Sequence, residues 1–135
     1  VLVSGVLRNG AVASVHVGTI PWHGSGWRLE VYGTEGTLVA SSKGMVQMAD
    51  AELRGARGTE RALEELPIPE RLTWVPEGVP PGPSFNVAQL YQRLANGLRA
   101  CEIVEPGFAL AVRRHRLLNA IELASETGQR QPVAL

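Results

Sequence analysis

The chain has 135 residues, of which 44% are apolar and 19% charged, with 13 basic side chains balancing 13 acidic ones. Length and composition fit one globular domain with a real core and exclude a disordered or low-complexity segment. The balanced charge speaks against a nucleic-acid surface, which carries a basic excess, and no apolar run approaches the ~20 residues of a membrane span.

Cys101 is the only cysteine, so no intrachain disulfide can form. We expect a reducing, cytoplasmic setting. The sequence opens at Val1 inside a strand-like pattern, which reads as a trimmed chain or an ordered fragment. Lys43 is the only lysine. It falls in Ser41-Ser42-Lys43-Gly44, a turn pattern, so a buried catalytic lysine must be sought elsewhere.

Residues 1–49 read as strands. Leu2–Leu7 and Ala11–Val17 flank Asn9-Gly10, and Asn-Gly between two apolar runs is a strong hairpin signal. A two-residue loop would pair Leu7 with Val12, Val6 with Ala13, Ser4 with Val15 and Val3 with His16. Leu2, Ser4, Val6, Ala13, Val15 and Val17 would then share one face, and Val3, Gly5, Leu7, Val12, Ser14 and His16 the other. Both faces carry apolar groups, which suits a sheet covered by helices on one side and by a second subunit or domain on the other. Thr19–Gly26 reads as a loop. Trp27–Tyr32 alternates as a strand, and Gly33-Thr34-Glu35-Gly36 is a tight turn with glycine available for positive φ. Thr37–Ala40 and Met45–Ala49 read as further strands.

The middle is weaker. Leu53–Arg61 is polar and glycine-bearing, Ala62–Ile68 has the pattern of a strand, and the proline-rich Val75–Pro83 reads as an extended linker. Two helices follow. In the first, Asn86 at the N-cap with Gln89 three residues on makes a capping-box pattern. Val87, Leu90, Tyr91, Leu94, Leu98 and Cys101 form its apolar stripe. The second runs from just after Pro106 to Gly128, a stop signal. Its inner stripe is Leu110, Leu117, Leu118, Ile121 and Ala124. His115, Asn119, Glu122 and Glu126 make its polar face, and Arg114 must snorkel or pair. Gln131–Leu135 reads as a final edge strand. Strands first and helices later give an α+β fold: an open, mostly antiparallel β-sheet with two C-terminal helices on one face, in a single domain over 1–135.

Little in the chain carries chemistry on its own. Gly33-Thr34-Glu35-Gly36 is G-x-x-G before a strand, so the dinucleotide-fingerprint logic fails. His16, His23, His115 and Cys101 are scattered over different elements, so we expect no metal site. Cys101 reads as a packed thiol. His115 reads as a solvated histidine or a general acid/base, and His16 as a sheet-face group or a substrate contact. The best local candidate is the loop Ile20-Pro21-Trp22-His23-Gly24-Ser25-Gly26. Trp22 offers a stacking face, and His23 and Ser25 offer hydrogen bonds, a set that suits a sugar or polyol. A plain connecting loop whose tryptophan packs on a neighbouring subunit is the competing reading.

Three segments together carry a resemblance. Leu7-Arg8-Asn9-Gly10-Ala11-Val12-Ala13-Ser14 with Tyr32-Gly33-Thr34-Glu35-Gly36-Thr37-Leu38, and the stretch from Pro106-Gly107-Phe108 through His115 to Ser125 and Gly128, resemble the C-terminal domain of the glucose–fructose oxidoreductase / inositol 2-dehydrogenase (Gfo/Idh/MocA) family. Gly5-Val6-Leu7, Ser14-Val15-His16-Val17 and Arg113-Arg114-His115-Arg116-Leu117 look closest to the branch that includes the yeast galactose-pathway repressor. The resemblance implies a dihydrodipicolinate-reductase-like C-terminal domain, preceded in the parent by a Rossmann domain that binds NAD or NADP. It also implies a sheet face that builds homo-oligomers and end loops that close a substrate pocket. The family's glycine-rich loop, its Glu-Lys-Pro motif and its Asp-x-x-x-His helix are not in this sequence, so no catalytic or cofactor-binding residue carries over. The implied parent is an NAD(P)-dependent oxidoreductase acting on a sugar or polyol; the alternative is a catalytically silent, nucleotide-binding transcriptional regulator. The candidate substrate-binding residues here are Trp22, His23, Ser25 and His16.

Overall fold

A computed structural model describes residues 1–19, 22–47 and 51–133. The order is β1 (Leu2–Val6), β2 (Val12–His16), β3 (Trp27–Tyr32), β4 (Gly36–Ser42), β5 (Glu52–Arg57), β6 (Glu64–Glu65), a short 3-10 turn (Glu70–Leu72), α1 (Pro83–Ala100) and α2 (Phe108–Thr127). All pairings are antiparallel. The class is α+β, with open antiparallel sheets first and two helices after them. The strands form two sheets, β1-β2 and β3-β4-β5-β6. The chain divides into two compact units, Val1–His23 with Ile103–Leu135, and Gly24–Glu102. The hairpin and α2 fall in the first unit; the four-stranded sheet and α1 fall in the second.

The first hairpin is where Asn9-Gly10 led us to expect it, but its register is one residue off. Leu2 pairs with His16, Val3 with Val15, Ser4 with Ser14, Gly5 with Ala13 and Val6 with Val12. The loop holds three residues. Gly10 N donates to Leu7 O at 2.9 Å and Leu7 N to Ala11 O at 2.8 Å. Gly10 sits at φ +88 while Asn9 keeps a negative φ. This is a turn across Arg8-Asn9 followed by a left-handed glycine bulge. Asn9 Oδ1 accepts from Ala11 N at 3.1 Å and supports the bulge. The slip changes the faces: Leu2, Ser4, Val6, Val12, Ser14 and His16 now lie together, and Val3, Gly5, Ala13 and Val15 lie opposite. Val3 and Val12, expected on the same face, are on opposite faces.

In the second sheet, β3 alternates as expected. Trp27, Leu29 and Val31 pair with Ser42, Ala40 and Leu38, and β4 in turn pairs Ala40 with Leu53 and Leu38 with Gly55. These make an apolar face. The other face carries Arg28, Glu30 and Tyr32 beside Ser41, Val39 and Thr37, with Glu52, Arg54 and Ala56 beyond. The turn between β3 and β4 closes with Gly33 N donating to Gly36 O at 2.8 Å. Neither glycine has positive φ, which corrects the expected reason for them. A Cβ on Gly36 would instead run into Ala56 O and come within 3.2 Å of Arg57 Cα, so β5 packs against bare backbone there.

Four other expectations change. Glu52–Arg57, read as a polar stretch, is β5. Met45–Gln47 is not strand, and Val46 and Gln47 form a turn; Met48 and Ala49 of that expected strand lie outside the described residues. Gln131–Val133 is not strand either, and Ala134 and Leu135 lie outside the description. The strand expected over Ala62–Ile68 shrinks to the two residues of β6.

α1 starts three residues before Asn86. Its N-cap is Gly82 and Pro83 occupies the first turn, where a missing N–H loses nothing. Asn86 and Gln89 thus form no capping box. Asn86 Nδ2 donates to Gln47 O at 3.2 Å. Gln89 ties the helix to the preceding segment: its Oε1 accepts from Trp74 N at 2.7 Å and Val75 N at 3.1 Å, and its Nε2 donates to Leu72 O at 3.0 Å. Arg93 lies over the Trp74 ring, 5.6 Å from its centre. α2 keeps its expected limits, with Gly128 as a left-handed C-cap.

Val39, 4% exposed, is the buried apolar side chain among the described residues. The total accessible surface is 11785 Å². A compact monomer of this mass shows about 6,900 Å², and two separate bodies of half the mass about 8,300 Å² together. The chain leaves roughly 3,500 Å² more surface open than folding into two such bodies would leave.

Candidate functional site

The segment between β2 and β3 runs from Val17 to Gly26. It leaves the hairpin where Val17 N donates to Val1 O at 2.9 Å. It re-enters the sheet at Gly26, at φ +81, where a Cβ would run into Ser42 O and lie 2.9 Å from Lys43 C. Only glycine fits this close approach to the end of β4.

Trp22, 78% exposed, holds its indole open to solvent. His23 takes φ +51. A left-handed conformation in a non-glycine residue costs on the order of 1–2 kcal/mol and is a reason to look for function rather than a proof of it. Its imidazole is exposed, as is Ser25. His16 ends β2, opposite Leu2, and is exposed too. His16, Trp22 and His23 belong to the first compact unit and Ser25 to the second. Ile20 and Pro21 of the expected loop lie outside the described residues. The sequence therefore found the exposed aromatic and imidazole, while the left-handed backbone at His23 left no trace in it.

The other candidates are placed as follows. His115 and Asn119 are exposed on α2, and so is Arg114, which needs no carboxylate partner there. Cys101 is not packed in a stripe. It is exposed and caps α1 at φ 55. Val87, Leu90, Tyr91, Leu94 and Leu98 of the same expected stripe are exposed as well. Among the described residues no three His, Cys, Asp or Glu side chains gather into a metal-binding group, and no helix is long and apolar enough to cross a membrane.

One cluster escaped sequence reading. Along β3, Glu30 accepts from Arg28 Nε at 2.6 Å through Oε1 and from the Tyr32 hydroxyl at 2.8 Å through Oε2. The Tyr32 hydrogen bond, then that from Arg28, lowers the Glu30 pKa from 4.5; the same bond to Glu30 raises that of Tyr32. The signal was present as Arg-x-Glu-x-Tyr, three polar residues at strand period in a strand whose other face is apolar.

Comparison with family models finds no match, and comparison with curated proteins and with solved structures finds none either.

Proposed function

We propose that this chain is the C-terminal substrate-binding and self-associating domain of an NAD(P)-dependent oxidoreductase that acts on a sugar or polyol. The observation that carries the reading is the open Trp22 ring beside an imidazole held in a left-handed turn. A flat aromatic surface matches the C–H face of a sugar ring, and neighbouring side-chain donors and acceptors match its hydroxyls. The sequence resemblance to the Gfo/Idh/MocA C-terminal domain gives this surface its context, and the large open surface suits a domain that meets other copies of itself.

The Gly33-Thr34-Glu35-Gly36 turn does not fit a nicotinamide cofactor. It lies between the antiparallel strands β3 and β4, where no helix N-terminus follows to receive a pyrophosphate. No hydride step is therefore derived from these residues. The role of the candidate residues in the reading is to bind and orient substrate: Trp22 by stacking, and His23 and His16 by hydrogen bonds.

The test is the reduction of NAD or NADP by the whole parent protein against a panel of sugars and polyols. Trp22→Ala and His23→Ala should each lower kcat/KM about tenfold or more on the best substrate, the equivalent of one or two lost hydrogen bonds or one lost stacking surface. Unchanged kcat/KM in both variants removes the loop from the site.

A further inference from the structure

The edge of the four-stranded sheet has a self-complementary pattern. β3 is the first strand in the order β3-β4-β5-β6. Gly33 N bonds to Gly36 O, and in an antiparallel ladder bonded pairs alternate. Val31, Leu29 and Trp27 therefore turn their backbone groups toward β4. Arg28, Glu30 and Tyr32 turn theirs outward, along the free edge.

We propose that β3 pairs with β3 of a second copy of this chain, antiparallel and about a two-fold axis through Leu29. In this register Arg28 lies opposite Glu30 of the other copy, and Glu30 opposite its Arg28. Both residues have outward backbone groups, so these are hydrogen-bonded pairs. Leu29 meets Leu29 and Trp27 meets Val31, an aromatic and β-branched pair of the kind that stabilises sheets. Leu29 and Val31 are 50% and 52% exposed and gain cover on the apolar face. Slipping by two residues one way sets Arg28 against itself, and the other way sets Glu30 against itself. Slipping by one residue sets outward backbone groups against inward ones and apolar side chains against charged ones. The bond between Arg28 and Glu30 within one strand does not block the pairing, because a carboxylate has about four acceptor positions. Charged side chains on an edge usually keep strands apart; here the two signs, two residues apart, exclude other strands and accept a copy.

This inference concerns the sheet edge and is independent of the substrate reading and of association through a sheet face. The test uses charge reversal across two variants. Arg28→Glu makes positions 28 and 30 both acidic; Glu30→Arg makes both basic. Neither retains the bond within the strand. Sedimentation velocity over about 1–500 μM, the range for a small contact, should show the parent chain associating. Each variant alone should associate at least about tenfold more weakly, since two symmetric pairs become repulsive. An equimolar mixture should recover the association, because each cross-strand pair then joins an acidic side chain of one variant to a basic side chain of the other. A parent chain monomeric throughout, single variants as tight as the parent, or a mixture no tighter than its components would each overturn the proposal. As a second measurement, L29C in a C101S background places two thiols on the axis. The expected Cα separation of about 4.5 Å suits a disulfide. Oxidation should link the copies faster than in a T34C control at the turn; equal rates would also overturn it.

Discussion

Gln89 offers the sharpest test of how α1 is held. Its one amide makes three hydrogen bonds to the backbone of Leu72, Trp74 and Val75. Each such bond is worth about 0.5–1.5 kcal/mol net. They share a single side chain and are partly open to water, so Gln89→Ala should cost about 1.5–3 kcal/mol of local stability, less than a simple sum at the upper value. That energy corresponds to roughly 10- to 100-fold faster opening of the segment at 1.4 kcal/mol per tenfold. Amide hydrogen exchange at Trp74 and Val75 reads this directly. Gln89→Glu keeps an acceptor for the two N–H groups and loses the donor to Leu72 O, so it should fall between the parent and Gln89→Ala. Exchange rates at both amides unchanged in Gln89→Ala would refute the strap.

The Glu30 carboxyl is held below its usual value first by Tyr32 and then by Arg28. A depressed pKa in the folded state gives stability that is present above the unfolded value and is lost as pH falls through the folded one. Tyr32→Phe should move the Glu30 midpoint upward, toward 4.5, in a carbon NMR titration; an identical midpoint would show the hydroxyl to be idle. Gly36→Ala should destabilise the four-stranded sheet by about 1–3 kcal/mol through a backbone clash with β5. Urea unfolding of this variant at parental stability would show that β5 can step aside.

The elements legible in the sequence were those specified locally. Gly128 stops α2 because a left-handed residue is needed there, and glycine announces it. Asn9-Gly10 announced a turn, but the dipeptide does not say whether it fills a two-residue loop or the last two places of a three-residue one. The negative φ of Asn9 decides for the second, and the register follows. β5 was illegible for a different reason. Glu52, Gly55 and Ala56 have weak strand preference, and the strand exists because β4 pairs with it. Gly55 itself leaves room for Leu66 Cδ1, which an added Cβ would approach to 2.7 Å, a relation eleven residues long. At the candidate site, exposure of Trp22 was readable from a loop rich in glycine. The Arg28-Glu30-Tyr32 cluster was readable in principle from strand period. The early start of α1 was hidden because Asn86 satisfies the capping pattern while Pro83 satisfies the first-turn preference, and only the second is used.

The open surface also governs how the chain melts. Unfolded, a chain of this mass exposes about 21,000 Å², so unfolding from 11785 Å² releases roughly 9,000 Å², about two-thirds of what a compact monomer releases. Heat-capacity change and denaturant sensitivity both scale with that area. The single chain should therefore melt over a broad interval with a shallow denaturant slope, which calorimetry and urea titration read directly. Were copies to cover one another, buried area would be added to the native side alone, and the transition would steepen and move upward as protein concentration rises.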